Sequence, residues 1–224
     1  MSSHLENLEH PDELAQLPHG RHGLPPEFVR RNQRERLIVA FTALVGEVGY
    51  GAATITATTE GAGVSSNAFY KYFETIEECC IAAFETELEA LRPIVAEGYA
   101  SEAGWPLAIR AALATILDDF SRHPDVARLL TVEPFVAGPR MAALHKAAIE
   151  ELVVHLRRGR ELGSGSDRLP PTAERGLLGA ASSLVARQVL AGEASSLPQL
   201  LPDLTQFILT PYLGAAEARA VAAT

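Results

Sequence analysis

The sequence predicts an all-α protein of about nine helices, three small ones followed by a bundle of six. Three observations lead there. Hydrophobic residues make up 47% of the 224 and aromatics only 6%. Alanine and leucine recur throughout and favour helix, whereas a sandwich would need more β-branched and aromatic residues. Apolar residues recur at a spacing of three and four through most of the chain, and no stretch reads as a strand or as an internal repeat.

The elements follow in order. Residues 1–26 read as a mobile arm, with Pro11, Pro18, Pro25, Pro26, Gly20 and Gly23 and little periodicity. Its His4, His10, His19 and His22 have no ordering neighbours and read as solvated, not as metal ligands. A first helix starts at Pro26 or Glu27 and runs to Val48, with Leu37, Phe41, Leu44 and Val48 on one stripe and Ile38 and Val45 beside it; Gly49 ends it. Two short helices, over 55–61 and 65–72, are split by Gly63. Thr75, with Glu78 three positions on, forms a capping box that opens a long helix bearing Ile81, Phe84, Leu88, Leu91 and Val95.

Trp105 and Pro106 open the next helix, which carries Ile109, Leu113, Ile116, Leu117 and Phe120 and stops near His123-Pro124. A shorter helix covers 125–136 and is punctuated by Gly138-Pro139. Met141, Leu144, Ala148, Leu152 and Leu156 mark another long one. The run from Leu162 to Asp167 is a flexible loop. Two last helices cover 171–192 and 198–213, with Pro202 and Pro211 as kinks or turn boundaries.

Charge and cysteine usage narrow the function. The net charge is −9, but it is uneven. Glu6, Glu9, Asp12 and Glu13 make residues 1–19 net −4, residues 20–75 are net +1, and the remainder holds −6. The acid therefore lies mostly outside the first three helices, and the whole-chain charge argues only against non-specific nucleic-acid binding. No apolar run is long enough for a membrane span, and no secretory signal is expected. Cys79 and Cys80 are adjacent, which disfavours a disulfide, so a cytoplasmic setting is expected. Two cysteines are also too few for a structural zinc site, and neighbouring Glu77 and Glu78 oppose thiolate formation, which disfavours a redox sensor. No Ser-His-Asp set, carboxylate pair or metal constellation stands out, so neither an enzyme nor a cofactor is expected.

The segment from Thr54 to Phe73 carries the functional reading. A helix-turn-helix needs a short helix, a tight turn and a second helix crossing the first. Gly63 suits the turn, Val64 and Phe69 are spaced to anchor the second helix, and Ser65 can cap it. Ser66, Asn67, Ala68, Tyr70, Lys71 and Tyr72 are then expected to face outward, short groups toward base edges and longer ones toward phosphates. The arginines at 30, 31, 34 and 36 read nearly equally as a solvated helix start or as phosphate contacts; arginine near a helix N-terminus opposes the dipole, which favours the second.

Here the chain resembles the TetR family of regulators. Arg34 to Phe84 is similar to that family's DNA-binding segment, through the first helix ending Gly49-Tyr50, the Ala62-Gly63-Val64-Ser65 turn, the Phe69-Tyr70-Lys71-Tyr72-Phe73 run and the helix start at Thr75. The family usually carries an Ile-Ala pair where this chain has Thr58-Thr59, and basic residues where it has Thr56 and Ile76. The resemblance implies a sequence-specific DNA-binding regulator, most simply a homodimeric repressor on a palindromic operator, released by a small, largely apolar effector. It implies a helix-turn-helix domain over 27–74 and a ligand-binding and dimerisation domain over 75–224.

By that resemblance Thr54, Tyr70 and Tyr72 touch phosphates and Ser66, Asn67 and Ala68 approach bases, with Thr56, Ser65, Lys71, Arg30, Arg31 and Arg34 completing the DNA face. The effector pocket is expected between residues 84 and 160, lined by Phe84, Leu88, Leu113, Leu117, Phe120, Phe135 and Met141, with Trp105, Glu133 and His145 as orienting groups. Glu133, His145 and the neighbouring His155 could be ligand contacts, but each is more often an ordinary helix residue. Dimerisation is expected through the last two helices. Gly176, Gly179, Ala180, Ala181, Ser182 and Ser183 permit close approach there; Leu177, Leu184, Leu200, Leu204, Phe207 and Ile208 supply an apolar face. The alternative is an accessory helical ligand-binding protein of the same fold with weak or no DNA binding, suggested by Thr58-Thr59 and the missing basic positions.

Overall fold

A computed structural model describes residues 25–162 and 169–224. Among these the chain forms ten α-helices and no strand: α1 (Pro26–Val48), α2 (Ile55–Ala62), α3 (Ser66–Phe69), α4 (Ile76–Ala100), α5 (Trp105–Arg122), α6 (Pro124–Thr131), α7 (Pro139–Arg157), α8 (Ala173–Leu190), α9 (Leu201–Leu213) and α10 (Ala215–Ala222). The arm expected over 1–26 falls outside the described residues except for Pro25 and Pro26, and Pro26 already belongs to α1. Of the loop expected from Leu162 to Asp167, only Leu162 is described.

Helix boundaries follow local chemistry. Gly63 takes a left-handed conformation (φ 59°, ψ 38°) that closes α2, with its N–H bonded back to Glu60 and Thr59. Gly49, at φ 79°, ends α1 as expected. Thr75 Oγ1 accepts the Glu78 N–H at 3.2 Å, but the Glu78 carboxylate reaches the N–H of Glu74, one residue before the cap, at 2.7 Å. The expected helix over 65–72 is a single turn, after which tighter hydrogen bonds carry the chain to Phe73. The expected helix over 125–136 ends at Thr131 and continues as a 3₁₀ turn, Glu133–Phe135. Pro202 lies in the first turn of α9, where its missing N–H costs nothing, and is not a kink. Gly214, at φ 81°, ends α9 and releases α10, which the pattern did not anticipate.

One contiguous apolar core runs from α1 to α10. Leu37, Ile38, Phe41 and Val45 of α1 are buried, but Val48, expected on that stripe, is 43% exposed. α6 packs across the C-terminal end of α1 so closely that a Cβ on Gly46 would lie 2.8 Å from Asp125 Cα. α4 and α5 form the long antiparallel spine of the bundle, and Trp105 at its far end donates its indole N–H to His155 O at 2.8 Å. Arg160 closes the passage from α7 to α8. It makes two hydrogen bonds to the buried Glu174 carboxylate, at 2.6 and 2.8 Å, and one each to Leu169 O and Pro170 O.

Candidate DNA interface and ligand cavity

The turn between α2 and α3 is assembled from its own side chains. Thr54 Oγ1 accepts the Ala57 N–H at 3.2 Å and Ser65 Oγ accepts the Ala68 N–H at 3.2 Å, so each short helix carries a side-chain cap. Thr58 and Thr59 are buried, yet their hydroxyls are satisfied, each donating to a backbone oxygen one turn back, of Thr54 and Thr56, at 2.9 Å. The polar inner face of α2 is therefore accommodated without an orphaned group. Phe69 is fully buried and anchors α3, as its spacing predicted.

The outward face matches the expectation in part. Thr54, Thr56, Ser65, Ser66, Asn67, Tyr70 and Lys71 are exposed, Tyr70 by 59%. Ala68 corrects the sequence reading. It is 6% exposed and, with the adjacent Phe69, makes up the inward side of this single-turn helix. Tyr72 is half-buried; burial raises its phenol pKa, and its hydroxyl donates to Gln33 Oε1 at 2.9 Å, tying the end of α3 to α1. Arg30 and Arg34, one turn apart on α1 and both exposed, flank this end; the Arg34 guanidinium lies 5.6 Å from the Phe73 ring centre. Arg31 is exposed and lies 3.8 Å from Glu35. Arg36 turns inward instead and donates to Ala62 O. Desolvation lowers its pKa.

A cavity of about 390 Å³ lies inside the bundle, within the size range of small-molecule sites. Phe84, Leu88, Leu113, Leu117, Phe120 and His145 line it as expected. Four expected residues do not. Trp105 belongs to a shallower crevice at the end of the bundle, and Met141 is buried in the core away from the cavity. Phe135 is 72% exposed, with its ring against His145 on the surface side. Glu133 is withdrawn to the base of α1, where the short turn after α6 directs it. The cavity also extends beyond residue 160, because Leu178, Ala181, Ser182 and Val185 of α8 and Leu204 and Ile208 of α9 complete its wall.

Its polar groups are few. His145 is kept toward its neutral form by burial. His155 packs edge-on against Tyr99, and its Nδ1 is buried without a hydrogen-bond partner. At the mouth the Arg92 guanidinium holds the Glu151 carboxylate through two hydrogen bonds, at 2.9 and 2.8 Å. Pairs such as Arg92–Glu151 and Arg128–Glu133 join residues on separate elements. Helical periodicity carries no signal for such pairing, so these contacts were not legible in the sequence.

The cavity and the helix-turn-helix segment meet through α6. Leu130 and Thr131 sit in the cavity wall. Beside them Arg128 bonds Glu133 Oε1 at 2.9 Å and reaches Gly46 O at 3.4 Å, while Glu133 Oε2 accepts the Tyr50 N–H at 3.1 Å. Cys79 and Cys80 lie fully buried nearby; burial holds both thiols protonated, with Cys80 pushed up to about 12.

Of the dimer candidates, Leu177, Ala181, Leu204 and Ile208 are buried in the subunit's own core, three of them against the cavity, which corrects their assignment to an outer face. Leu200 is half-buried. Ala180, Leu184 and Phe207 are exposed, and Leu190 joins them at 60% exposure. Gly176 and Gly179 lie on the same open side of α8.

The chain thus combines a capped α2–α3 helix-turn-helix with a helical bundle that holds a cavity. Residues 37–83 match the family described as "Bacterial regulatory proteins, tetR family". Over 108 residues the chain is 28% identical to the nucleoid occlusion factor SlmA of Haemophilus ducreyi, an alignment that takes in 48% of this chain and 54% of that protein. The chain thus spans about half the length of this curated relative. Among solved structures it is similar to the fatty acid degradation regulator FadR from Bacillus halodurans, with TM-score 0.70, 17% identity and coverage of 82% of this chain and 96% of that one. It is also similar to FadR from Bacillus subtilis in complex with stearoyl-CoA, with TM-score 0.65, 16% identity and coverage of 80% and 98%. RolR in complex with resorcinol gives TM-score 0.59, 19% identity and coverage of 87% and 94%. At these identities the structural likeness shows a shared fold. The family match itself covers residues 37–83, which include the α2–α3 turn.

Proposed function

We propose that this chain is a homodimeric, cytoplasmic repressor that binds a palindromic operator through α3 and is released by a small, largely apolar effector in the bundle cavity. The observation that carries the reading is the position of α6, one face in the cavity wall and the other clasped to the end of α1. An effector that fits only a displaced α6 moves α1 with it. Such differential affinity for two conformers is what a switch requires. In a dimer, two copies of α3 must enter successive major grooves about 34–36 Å apart, so a small tilt at α1 removes one of them from register.

Base reading falls to Ser66 and Asn67, and backbone contact to Tyr70, Lys71, Thr56 and the Arg30–Arg34 side of α1. The exposed Ala180, Leu184, Leu190 and Phe207 form the face that a second subunit covers. The domain division at about residue 74 follows from these roles: the helices before it read DNA and those after it hold ligand and partner. The ligands of the structural relatives, a long acyl thioester in one FadR and a small phenol in RolR, both carry an apolar body. The test is selection of bound duplexes from random DNA by the purified protein, followed by release assays with apolar compounds. A palindromic consensus from which such a compound frees the protein is the expected result. Failure to enrich any duplex at low salt overturns the reading in favour of an accessory ligand-binding protein.

A further inference from the structure

The ion pair at the cavity mouth constrains the charge of the ligand. Arg92 on α4 and Glu151 on α7 both line the cavity and are still 45% and 52% exposed, so an entering molecule meets them at the boundary with water. Glu89 stands three residues before Arg92 and so shares its side of α4. Glu151 and Glu89 together hold the guanidinium above its ordinary pKa. Of the other nitrogen bases nearby, His155 lies one turn after Glu151 on α7 and deeper in the same wall, and the rest are directed elsewhere. Lys146 and Arg157 lie on the Glu150 side of α7, and Arg175 is bound by Glu150. Arg110 of α5 is not part of the cavity wall, and the half-buried His145 is held toward its neutral form. The mouth therefore sets the Glu151 carboxylate against Arg92, with the exposed Glu89, outside the cavity wall, as a second carboxylate beside the guanidinium, above a wall that includes Phe84, Tyr99 and Phe120.

Resting on the reading of this cavity as the effector site, we propose that the effector is an amphiphilic cation, an apolar body in the cavity with an amine-type head on Glu151. The two possible exchanges at the mouth are unequal. A cationic head takes Glu151 and leaves Arg92 beside Glu89, so every charge keeps an opposite neighbour. An anionic head takes Arg92 and leaves Glu151 and Glu89 as unpaired carboxylates beside a third negative charge, which like-charge repulsion opposes. A neutral head leaves the ion pair intact and gains no new pairing.

The test uses the full chain and calorimetric binding of three probes of equal chain length, decylamine, decanol and decanoate, with uptake of the neutral dye Nile red as a measure of the cavity itself. Decylamine is expected to bind roughly ten-fold tighter than decanoate, about what one charge-assisted contact supplies, with decanol between them. Glu151→Gln is expected to remove the amine preference while leaving dye uptake unchanged. Arg92→Gln, which frees Glu151 from its competitor, is expected to tighten decylamine further. Dye uptake with decanoate bound as tightly as decylamine, or with the amine preference intact in Glu151→Gln, overturns the cationic assignment alone. Absence of dye uptake by the unmodified protein overturns the cavity reading as well.

Discussion

The Glu133 carboxylate accepts the backbone N–H of Tyr50 at 3.1 Å across 83 residues of sequence, and the same carboxylate pairs with Arg128. This bond fixes the turn after α6 to the loop that leads into α2 and α3. Glu133→Ala leaves the Tyr50 N–H and Arg128 without their buried acceptor and is expected to cost about 2–3 kcal/mol. Urea denaturation checks the stability. Operator release then separates coupling from folding, since the variant is expected to bind effector while releasing DNA poorly.

Gly46→Ala tests the same contact sterically. The added methyl meets Asp125, whose backbone cannot withdraw without moving α6. Overpacking of this kind costs about 1–3 kcal/mol. A thermal midpoint lowered by several degrees is expected, whereas Gly51→Ala, with open space around it, has a far smaller effect.

Base reading and backbone contact separate in the recognition turn. Asn67→Ala is expected to weaken the best operator by about 1–3 kcal/mol and to relax preference at one or two positions per half-site. Tyr70→Phe is expected to weaken all duplexes alike, because a phosphate contact carries no base information. Binding to single-base operator variants at one salt concentration checks both, and a changed base preference in Tyr70→Phe rotates the assignment of α3.

Acid stability depends on Glu174. The paired Arg160 guanidinium, with further hydrogen bonds, holds this carboxyl below its ordinary value of 4.5. A depressed folded-state pKa stabilises the fold fully above the ordinary value and loses that contribution as pH falls through the lowered one. Glu174→Gln is expected to destabilise the protein by about 2 kcal/mol at neutral pH, less than the loss of a fully buried pair, and by progressively less below the ordinary carboxylate range. Denaturation midpoints across that range check the sign.

Leu184→Glu combined with Phe207→Glu places charge on the exposed face of α8 and α9. Sedimentation is expected to show a dimer for the unmodified chain and a monomer for the double variant at micromolar concentration. Helical content remains unchanged, because neither side chain is in the buried core.

Local signals were legible in the sequence. Gly63, Ser65, Thr75 and Phe69 each act within a few residues, and the structure places each where its chemistry requires. Ala68 escaped because the recognition helix is one turn long, too short for a period to declare its inner face. Phe135 and Met141 were assigned to the cavity on hydrophobicity alone, which says that a side chain avoids water but not which neighbour covers it. Glu133 and Arg92 find partners on other elements, and only the packing of α1 on α6 and of α4 beside α7 brings those together.

The two native thiols, protonated and sealed from solvent, leave the surface chemically silent toward maleimides and methanethiosulfonates. A single cysteine introduced at exposed Ser66 can therefore carry a spin label without first deleting Cys79 or Cys80. In the proposed dimer, pulsed dipolar spectroscopy on this label then reads the separation of the two α3 helices directly, with and without effector, as a distance distribution in frozen solution.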